Sequence, residues 1–376
     1  MRQICVGAVY DFSRKGVIIF YYLIKYFTIM KIAVVGATGL VGGVMLEVLE
    51  ERGFGKEEVL VAASAKSVGR KIRFAGRELT VQSVEDVIAA KPQFAIFSAG
   101  ASTSKRYAPL FAAVGTTVID NSSAWRMDEE VPLVVPEINM SAVRARTGHS
   151  VSSGQGMIIA NPNCSTIQMV LALSGLQKRY GIRRIVVSTY QSVTGTGMKA
   201  IRQLEAEERG DEPEEMAYPC PVHRNLFPHG GDFMEDLYTS EEHKLVNETR
   251  KIFDDATIQV SATVARVPVV GGHSESVNVE LKEEFDLEEV RRIISETEGC
   301  VLYDNPEKLE YPTPLLSHHR DEVFVGRVRR DPSQPKTLNM WVVADNLRKG
   351  AATNAIEIME RLVLSASPLG SAKNSE

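Results

Sequence analysis

The segment that most constrains the fold lies near the start of the chain, where an apolar run passes through a glycine-rich turn into an amphipathic stretch. Lys31–Val35 (KIAVV) is typical of a buried strand, and GATGLVGG follows at 36–43. Gly36, Gly39 and Gly42 have the GxxGxxG spacing of a dinucleotide-binding turn. There the backbone can approach a pyrophosphate, and the helix N-terminus offers it free N–H groups. The pattern predicts a nucleotide-binding domain; a tight turn without a ligand is the alternative.

The end of the second apolar run indicates which dinucleotide binds. NAD-binding folds usually place an acid here to hold the ribose 2′-hydroxyl. The run VLVAAS (59–64) instead ends in Ser64, with Lys66 and Ser67 close behind and no acid. Two hydroxyls and a cation suit a 2′-phosphate, so we expect NADP rather than NAD. A solvated polar turn is the alternative.

Further strands alternate with helices up to about residue 160. QFAIFSAG (93–100), TTVID (116–120) and MIIA (157–160) each have the character of a strand. This alternation predicts a mostly parallel, doubly wound sheet. The chain has 376 residues, which is long enough for a second domain, and we expect the boundary near 155–163.

Charge and cysteine usage exclude several classes of protein. The net charge of −5 gives no bulk attraction to nucleic acid or anionic lipid, so we expect neither as a partner. The four cysteines, Cys5, Cys164, Cys220 and Cys300, form no CxxC pair, which argues against a zinc ribbon or a disulfide framework and for the reducing cytoplasm. Cys220, His223 and His229 lack a fourth ligand at a recognised spacing, so we expect no metal.

The first 29 residues need a separate explanation. VIIFYYLI (17–24) is apolar but ends at Lys25, well short of a membrane span. A signal peptide is the alternative, with Arg14 and Lys15 as its basic flank, but no small-residue cleavage site precedes Lys31. We interpret 1–29 as a leader of uncertain status, with Met30 as the natural first residue.

The chemistry concentrates in NPNCST (161–166). The apolar stretch IQMVLALSGL (167–176) follows it, which places Cys164 at a helix N-terminus. The helix dipole and free N–H groups there favour a thiolate and could hold a developing oxyanion. The alternative is an inert core cysteine.

A nucleophilic thiol usually needs a base, and His273 is the best placed histidine. It follows Gly271-Gly272 and enters the alternating strand SESVNVEL, while Arg266 closes the preceding strand TIQVSATVAR. His318 and His319 lie in a polar loop and are expected at the surface. A structural histidine is the alternative for His273.

The sequence resembles the aspartate-β-semialdehyde dehydrogenase family from residue 30 to about 366. Ten segments agree in order and spacing. They are GATGLVG (36–42), ASAKSVG (63–69), SAGASTS (98–104), DNSSAWRMD (120–128), VPLVVPEIN (131–139), NPNCST (161–166), TYQSVTGTG (189–197), YTSEEHK (238–244), RVPVVGGHSES (266–276) and NLRKGAATNAI (346–356).

The resemblance implies a role for each matching residue. Cys164 matches the nucleophile, His273 the general acid/base and Gln191 the residue that orients the acyl-enzyme. Arg266 matches the residue that binds the substrate carboxylate, and Glu241 matches the one that binds its ammonium. Arg126 and Lys244 match the cations that bind phosphate. The positions around NADP are Thr38, Gly39, Leu40, Val41, Lys66, Ser67, Thr194, Gly195 and Asn346. Two departures are Lys66, where many members have arginine, and Ala101, where glycine is common.

The resemblance also implies an architecture and a reaction. A Rossmann-like NADP-binding domain (30–163 with 345–376) would hold an inserted α+β catalytic and dimerisation domain (164–344), in a homodimer or homotetramer. The reaction is reductive dephosphorylation of β-aspartyl phosphate, in the biosynthesis of lysine, threonine, methionine and diaminopimelate.

Three alternatives stay open. N-acetyl-γ-glutamyl-phosphate reductase shares the fold, but its cysteine motif is of the NPGCYPT kind, and Asn163 and Ser165 fit the aspartate enzyme better. A glyceraldehyde-phosphate dehydrogenase carries an SxxCTTN-type motif. A non-catalytic NADP-binding regulator would have lost the cysteine or the histidine.

Overall fold

The computed structural model describes residues 29–143 and 155–365. The leader interpretation therefore concerns residues that, apart from Ile29, lie outside the described part. Within that part, no helix combines the length and the apolar character needed to cross a lipid bilayer.

A five-stranded parallel sheet forms the first half of the fold, as the alternation of strands and helices predicts. Its order is β2-β1-β5-β6-β7, and every pairing is parallel. The strands of this half, including a separate hairpin of β3 and β4, are β1 (Lys31–Val35), β2 (Glu58–Ala62), β3 (Lys71–Phe74), β4 (Arg77–Thr80), β5 (Phe94–Phe97), β6 (Thr117–Asp120) and β7 (Met157–Ala160). The central strands are continuous apolar runs because helices cover both faces of the sheet.

The connections of this sheet are helical. They comprise α1 (Leu40–Glu51), α2 (Val84–Ala89), α3 (Ala101–Ala113) and α4 (Pro136–Asn139), with 3-10 turns at Phe54–Lys56 and Ala65–Ser67. Helix α1 follows the glycine turn as the sequence predicts, whereas no sequence pattern predicts the β3–β4 hairpin. Its short strands alternate weakly, with mostly exposed side chains.

A mixed six-stranded sheet forms the second half, in the order β11-β12-β13-β10-β8-β9. Its strands are β8 (Ile182–Gln191), β9 (Gln259–Arg266), β10 (His273–Leu281), β11 (Cys300–Leu302), β12 (Val323–Arg330) and β13 (Thr337–Ala344). The remaining helices are α5 (Cys164–Tyr180), α6 (Met198–Arg209), α7 (Ser240–Phe253), α8 (Leu287–Glu296), α9 (Pro314–Ser317) and α10 (Thr353–Ser365), with 3-10 turns at Val193–Thr196 and Pro306–Lys308 and a π-helical turn at Arg348–Ala352.

The two faces of this second sheet differ. One face packs its alternate residues, such as Val277 and Val279, against the apolar sides of α5, α7 and α8 in one large core. The opposite face carries Tyr190 and Trp341, half-buried with ring centroids 5.4 Å apart, and the exposed Ser276.

The C-terminal helix α10 packs back onto the first sheet. Its residues Ile356 and Met359 belong to the same core as Ile32 and Met45. This packing supports the domain division suggested by the sequence, which we keep as a proposal. The active-site segments described next lie between the two sheets.

Candidate active site

The glycine turn after β1 is as tight as its spacing predicts. Gly36 has φ +92°, and a Cβ there would lie 2.2 Å from the carbonyl oxygen of Ser98; a Cβ on Gly42 would lie 2.2 Å from that of Gly36. Helix α1 begins at Leu40 with Gly39 as N-cap, and neither a capping side chain nor an acid occupies its first turn. These N–H groups suit a pyrophosphate.

The residues predicted to hold the 2′-phosphate lie beside this turn. The Gly36 N–H donates to the carbonyl of Ala62 at 2.8 Å, which joins the glycine turn to the end of β2. The 3-10 turn Ala65–Ser67 follows, with Ser64 and Lys66 exposed and Ser67 buried. The exposed cation is therefore free to meet an anion from solvent.

Cys164 is the first residue of α5, as the sequence predicts. Asn163 is the N-cap, and its Oδ1 accepts the backbone N–H groups of Ser165 (3.0 Å) and Thr166 (3.4 Å). The π-helical turn packs on the cysteine, because a Cβ on Gly350 would lie 2.8 Å from the Cβ of Cys164. Cys164 is thus fixed from both sides.

The backbone N–H of Ser165 in the first turn of α5 favours the thiolate, as expected, but other groups outweigh it. Burial, followed by the negative charge of Glu241, raises the pKa of the Cys164 thiol to about 11, although Arg126 and Arg266 act in the opposite direction. Glu241 is ionised here: burial raises its pKa, but Lys244 and the Asn163 amide outweigh burial and hold that pKa below its usual value.

His273 begins β10 and is fully enclosed, with 1% of its surface exposed. Its Nδ1 accepts the backbone N–H of Ser192 at 3.0 Å, and its Nε2 is buried without a partner among the described residues. Burial, and then the charge of Arg266, hold the pKa of His273 well below its usual value. The ring is therefore neutral, and with Nδ1 accepting, the proton resides on Nε2.

Gln191 and Arg266 end the parallel strands β8 and β9 as direct partners. The Gln191 Nε2 donates to Ser165 Oγ at 2.9 Å, next to Cys164. A Cβ on Gly195 would lie 3.3 Å from His273 Nε2 and 3.4 Å from Arg266 Nη1. The Val193–Thr196 turn therefore covers the histidine and the arginine together.

Two nitrogens of the Arg266 guanidinium differ in their pairing. Its Nη1 donates to the carbonyl of Ser192 at 2.6 Å, while its Nε is buried without a partner in the described part of the chain. A buried, unpaired guanidinium N–H is costly unless an acceptor completes it. A substrate carboxylate would be such an acceptor.

Helix α7 contributes charged groups to the other side of Cys164. Glu241 accepts the Asn163 Nδ2 at 2.9 Å and forms an ion pair with Lys244. Glu248 forms an ion pair with Arg126 at 3.1 Å. The site therefore brings together Arg126, Glu241 and Lys244 around Asn163, the residue that precedes Cys164.

Thr194 and Asn346 connect the segments that follow β8 and β13, two strands of the second sheet. The Thr194 hydroxyl donates to the Asn346 Oδ1 at 2.8 Å, and both residues are buried. Their predicted contacts with NADP stay predictions.

The structure adds roles that the sequence analysis did not assign, to Asn163 and to Glu248. Asn163 directly precedes an apolar helix, which is an N-cap signal that could have identified it. No local sequence pattern identifies Glu248 as part of the site. His318, expected at the surface, is half-buried: its Nδ1 lies 3.4 Å from Asp345, and a Cβ on Gly271 would lie 2.5 Å from its ring.

One group in residues 29–143 and 155–365 has the composition of a metal site, namely His318, His319 and Asp345. Asp345 already accepts the backbone N–H groups of His319, Leu347 and Arg348. Its carboxylate is therefore committed to shaping the loop. Cys220, His223 and His229 do not form such a group in this part.

Comparison with known proteins agrees with this arrangement. Residues 31–146 match the model of the semialdehyde dehydrogenase NAD binding domain, and residues 173–349 match that of the semialdehyde dehydrogenase dimerisation domain. The chain is 49% identical to an aspartate-semialdehyde dehydrogenase of Aquifex aeolicus over 339 residues, which cover 89% of this chain and 98% of the relative.

Two further relatives agree. The aspartate-semialdehyde dehydrogenase of Bacillus subtilis is 41% identical, over 89% of this chain and 97% of the relative. The crystal structure of aspartate semialdehyde dehydrogenase II from Vibrio cholerae has a TM-score of 0.83 at 43% identity, over 90% of this chain and 99% of that one. The chain belongs to the aspartate-semialdehyde dehydrogenase family.

Proposed function

We propose that this chain reduces β-aspartyl phosphate to aspartate β-semialdehyde with NADPH, through a thioester on Cys164. The observation that carries the proposal is the position of the Cys164 thiol on the first residue of α5. The charges of Glu241, Arg126 and Arg266 all act on this thiol. The similarity to relatives of this name over nearly their whole length supports the substrate. The step would serve biosynthesis of lysine, threonine, methionine and diaminopimelate.

In the acyl-transfer step the Cys164 thiolate attacks the acyl carbon, and the bond from that carbon to the phosphate oxygen breaks. Arg126 has a buried Nε without a partner in the described chain, and Lys244 lies one helical turn from Glu241. These cations would neutralise the leaving phosphate.

Arg266 and Glu241 would bind the two charged groups at the amino-acid end of the substrate. The Nε of Arg266, which has no partner within the described residues, would bind the α-carboxylate, and the ionised Glu241 would bind the ammonium. Gln191, bonded to Ser165, would orient the acyl group. The ammonium would also neutralise the charge that raises the thiol pKa, so substrate binding favours the thiolate.

NADPH, when bound, supplies the hydride that reduces the thioester. His273 presents Nε2–H to the site, and we propose that it donates to the oxygen of the tetrahedral species. That alkoxide can collapse by expelling the Cys164 thiolate with no net proton transfer. A neutral donor fixed by the Ser192 N–H therefore suffices for this reduction step.

The residues available for NADP are the glycine turn and the polar positions around it. The tight backbone of Gly36 and Gly42 and the uncapped start of α1 fit a pyrophosphate. The remaining positions that we propose to contact NADP are Thr38, Gly39, Leu40, Val41, Ser64, Lys66, Ser67, Thr194, Gly195 and Asn346.

We propose a homodimer, or a homotetramer built from it, in the cytoplasm. The match to a dimerisation domain supports oligomerisation. The face of the second sheet that carries Tyr190 and Trp341 is partly open and is the surface that we assign to the second copy. A reducing compartment keeps Cys164 free to react.

The test is phosphate-dependent reduction of NADP with aspartate semialdehyde, compared with N-acetylglutamate semialdehyde. We expect activity with the first substrate, dependent on phosphate and lost in Cys164→Ala, with NADP affinity nearly unchanged. Preference for the acetylated substrate would replace the proposal by the reductase alternative. Turnover of Cys164→Ala within tenfold of the unmodified enzyme would exclude the thioester.

A further inference from the structure

Glu248 is a buried acid to which the steps above give no role. It lies on α7 seven residues after Glu241 and four after Lys244, so all three share one helix face. Its side chain is 1% exposed. Burying a carboxylate so completely is costly unless its oxygens are fully paired.

Both oxygens of Glu248 are paired, and the two partners belong to different parts of the site. Its Oε1 lies 3.1 Å from Arg126 Nη1, and its Oε2 accepts the backbone N–H of Asn163 at 2.7 Å. One carboxylate therefore links the cation assigned to phosphate with the residue directly before Cys164.

The geometry at Arg126 shows what this link accomplishes. Its Nη1 is held by Glu248, its Nη2 donates to the carbonyl of Asn121 at 2.9 Å, and its Nε has no partner among residues 29–143 and 155–365. A planar guanidinium clamped at two nitrogens can present only its remaining edge.

The geometry at Asn163 is equally constrained. Its backbone N–H is bound by Glu248, its Nδ2 by Glu241, and its Oδ1 caps α5. Two acids of α7 thus fix the residue on which the position of Cys164 depends. Asn163 is 6% exposed, so water cannot readily replace either bond.

We propose that Glu248 is a positioning residue for acyl transfer: it sets the distance and orientation between the phosphate-binding edge of Arg126 and the Cys164 nucleophile. The inference rests on the proposed phosphate role of Arg126. Glu248 itself touches neither substrate nor cofactor; it acts through Arg126 and Asn163.

The test is steady-state kinetics of Glu248→Gln, Arg126→Ala and the double variant, in the direction that consumes phosphate. An amide can accept only through its one oxygen, so Glu248→Gln loses one of the two bonds. We expect it to raise the phosphate KM about tenfold, with the KM for aspartate semialdehyde within about twofold. In the double variant we expect the phosphate KM to equal that of Arg126→Ala, because Glu248 has no other route to phosphate.

Asp304→Asn is the matched control. Asp304 is a buried acid that pairs with Arg291 and accepts two backbone N–H groups, from Arg327 and Val328. It is not among the residues assigned to the site. A loss of stability without a change in phosphate KM is expected there, and a similar result for Glu248→Gln would reduce its role to packing.

The outcomes separate this inference from the proposed function. If Arg126→Ala leaves the phosphate KM unchanged, the proposed phosphate site is wrong and the inference fails with it. If Arg126→Ala raises that KM while Glu248→Gln does not, or the two effects multiply in the double variant, only the inference is overturned. Should Glu248→Gln fail to fold, Glu248→Asp, which keeps the charge but is one methylene shorter, is expected to raise the phosphate KM about threefold; no change would overturn the inference.

Discussion

Replacing Glu241 by glutamine is expected to make Cys164 more reactive in the free enzyme. Glu241 is the charge that disfavours the thiolate, second only to burial. Glutamine keeps an oxygen that can accept the Asn163 amide, as Glu241 Oε2 now does at 2.9 Å. The helix cap is therefore preserved while the charge is removed.

The size of the expected gain in reactivity follows from the raised pKa of the Cys164 thiol. The pKa of Cys164 rises from 9.0 to about 11, which corresponds to roughly 2.7 kcal/mol and to about a hundredfold less thiolate at pH 7. Burial is the larger cause and is unchanged in the variant. Removal of the Glu241 charge should therefore recover about half a unit to one unit, or roughly a threefold to tenfold gain in thiolate.

The assay is the rate of iodoacetamide alkylation at Cys164 against pH, followed by peptide mass spectrometry. Glu283→Gln is the matched control, because Glu283 pairs with Arg179. Arg179 lies in the last turn of α5, about 22 Å along the helix from Cys164. We expect a threefold to tenfold faster reaction at pH 7 in Glu241→Gln alone. An unchanged or slower rate in Glu241→Gln would refute the electrostatic reasoning.

Three further predictions concern the anion sites, the cofactor and a buried acid. Arg266→Lys should raise the KM for aspartate semialdehyde more than that for phosphate, and Lys244→Ala should do the opposite; parallel shifts in steady-state kinetics would contradict separate pockets. The unmodified enzyme should prefer NADP over NAD by at least about tenfold in kcat/KM, or roughly 1.4 kcal/mol, and Lys66→Glu should reverse this; equal efficiency with both cofactors would refute it. Burial raises the pKa of Glu275 well above its usual value, so the unfolded chain ionises first and stability falls as the pH rises above about 4.3. Glu275→Gln should therefore be the more stable form at pH 7 and lose that advantage below about pH 4 in denaturant unfolding; a less stable variant at pH 7 would be inconsistent with a neutral buried acid.

Local patterns were sufficient for the features that depend on neighbouring residues. The β1 run ends in a turn where Gly36 has φ +92°, a conformation that favours glycine. Likewise Asn163 and Cys164 begin α5, because a strand, a short polar turn and an apolar periodic stretch follow one another directly. These features could therefore be predicted from residue spacing alone.

Features that depend on distant contacts could not be predicted in this way. The proton position on His273 is set by the Ser192 N–H, 81 residues away, and Asn163 is bound by Glu248, 85 residues away. Cys164 depends on both kinds of information. Neighbouring residues determine its position at the start of α5, but burial and Glu241 dominate the pKa of its thiol.

The resemblance to a family supplied what spacing alone could not. Arg126, Glu241 and Lys244 are ordinary charged residues in the sequence, and two of them lie on a helix that periodicity alone would place at the surface. In the structure Arg126 is 7% exposed, and all three lie around Asn163. Their separate roles toward phosphate and ammonium stay proposals until the kinetics are measured.

The most direct test of the central claim is to trap the acyl-enzyme. The enzyme is mixed with aspartate semialdehyde and NADP without phosphate, quenched in acid and examined by intact-protein and peptide mass spectrometry. We expect a stoichiometric burst of NADPH and one β-aspartyl group per chain, located on Cys164 and released as β-aspartyl phosphate when phosphate is added before the quench. NADPH formation with no adduct on Cys164, or the same burst in Cys164→Ala, would contradict the thioester mechanism.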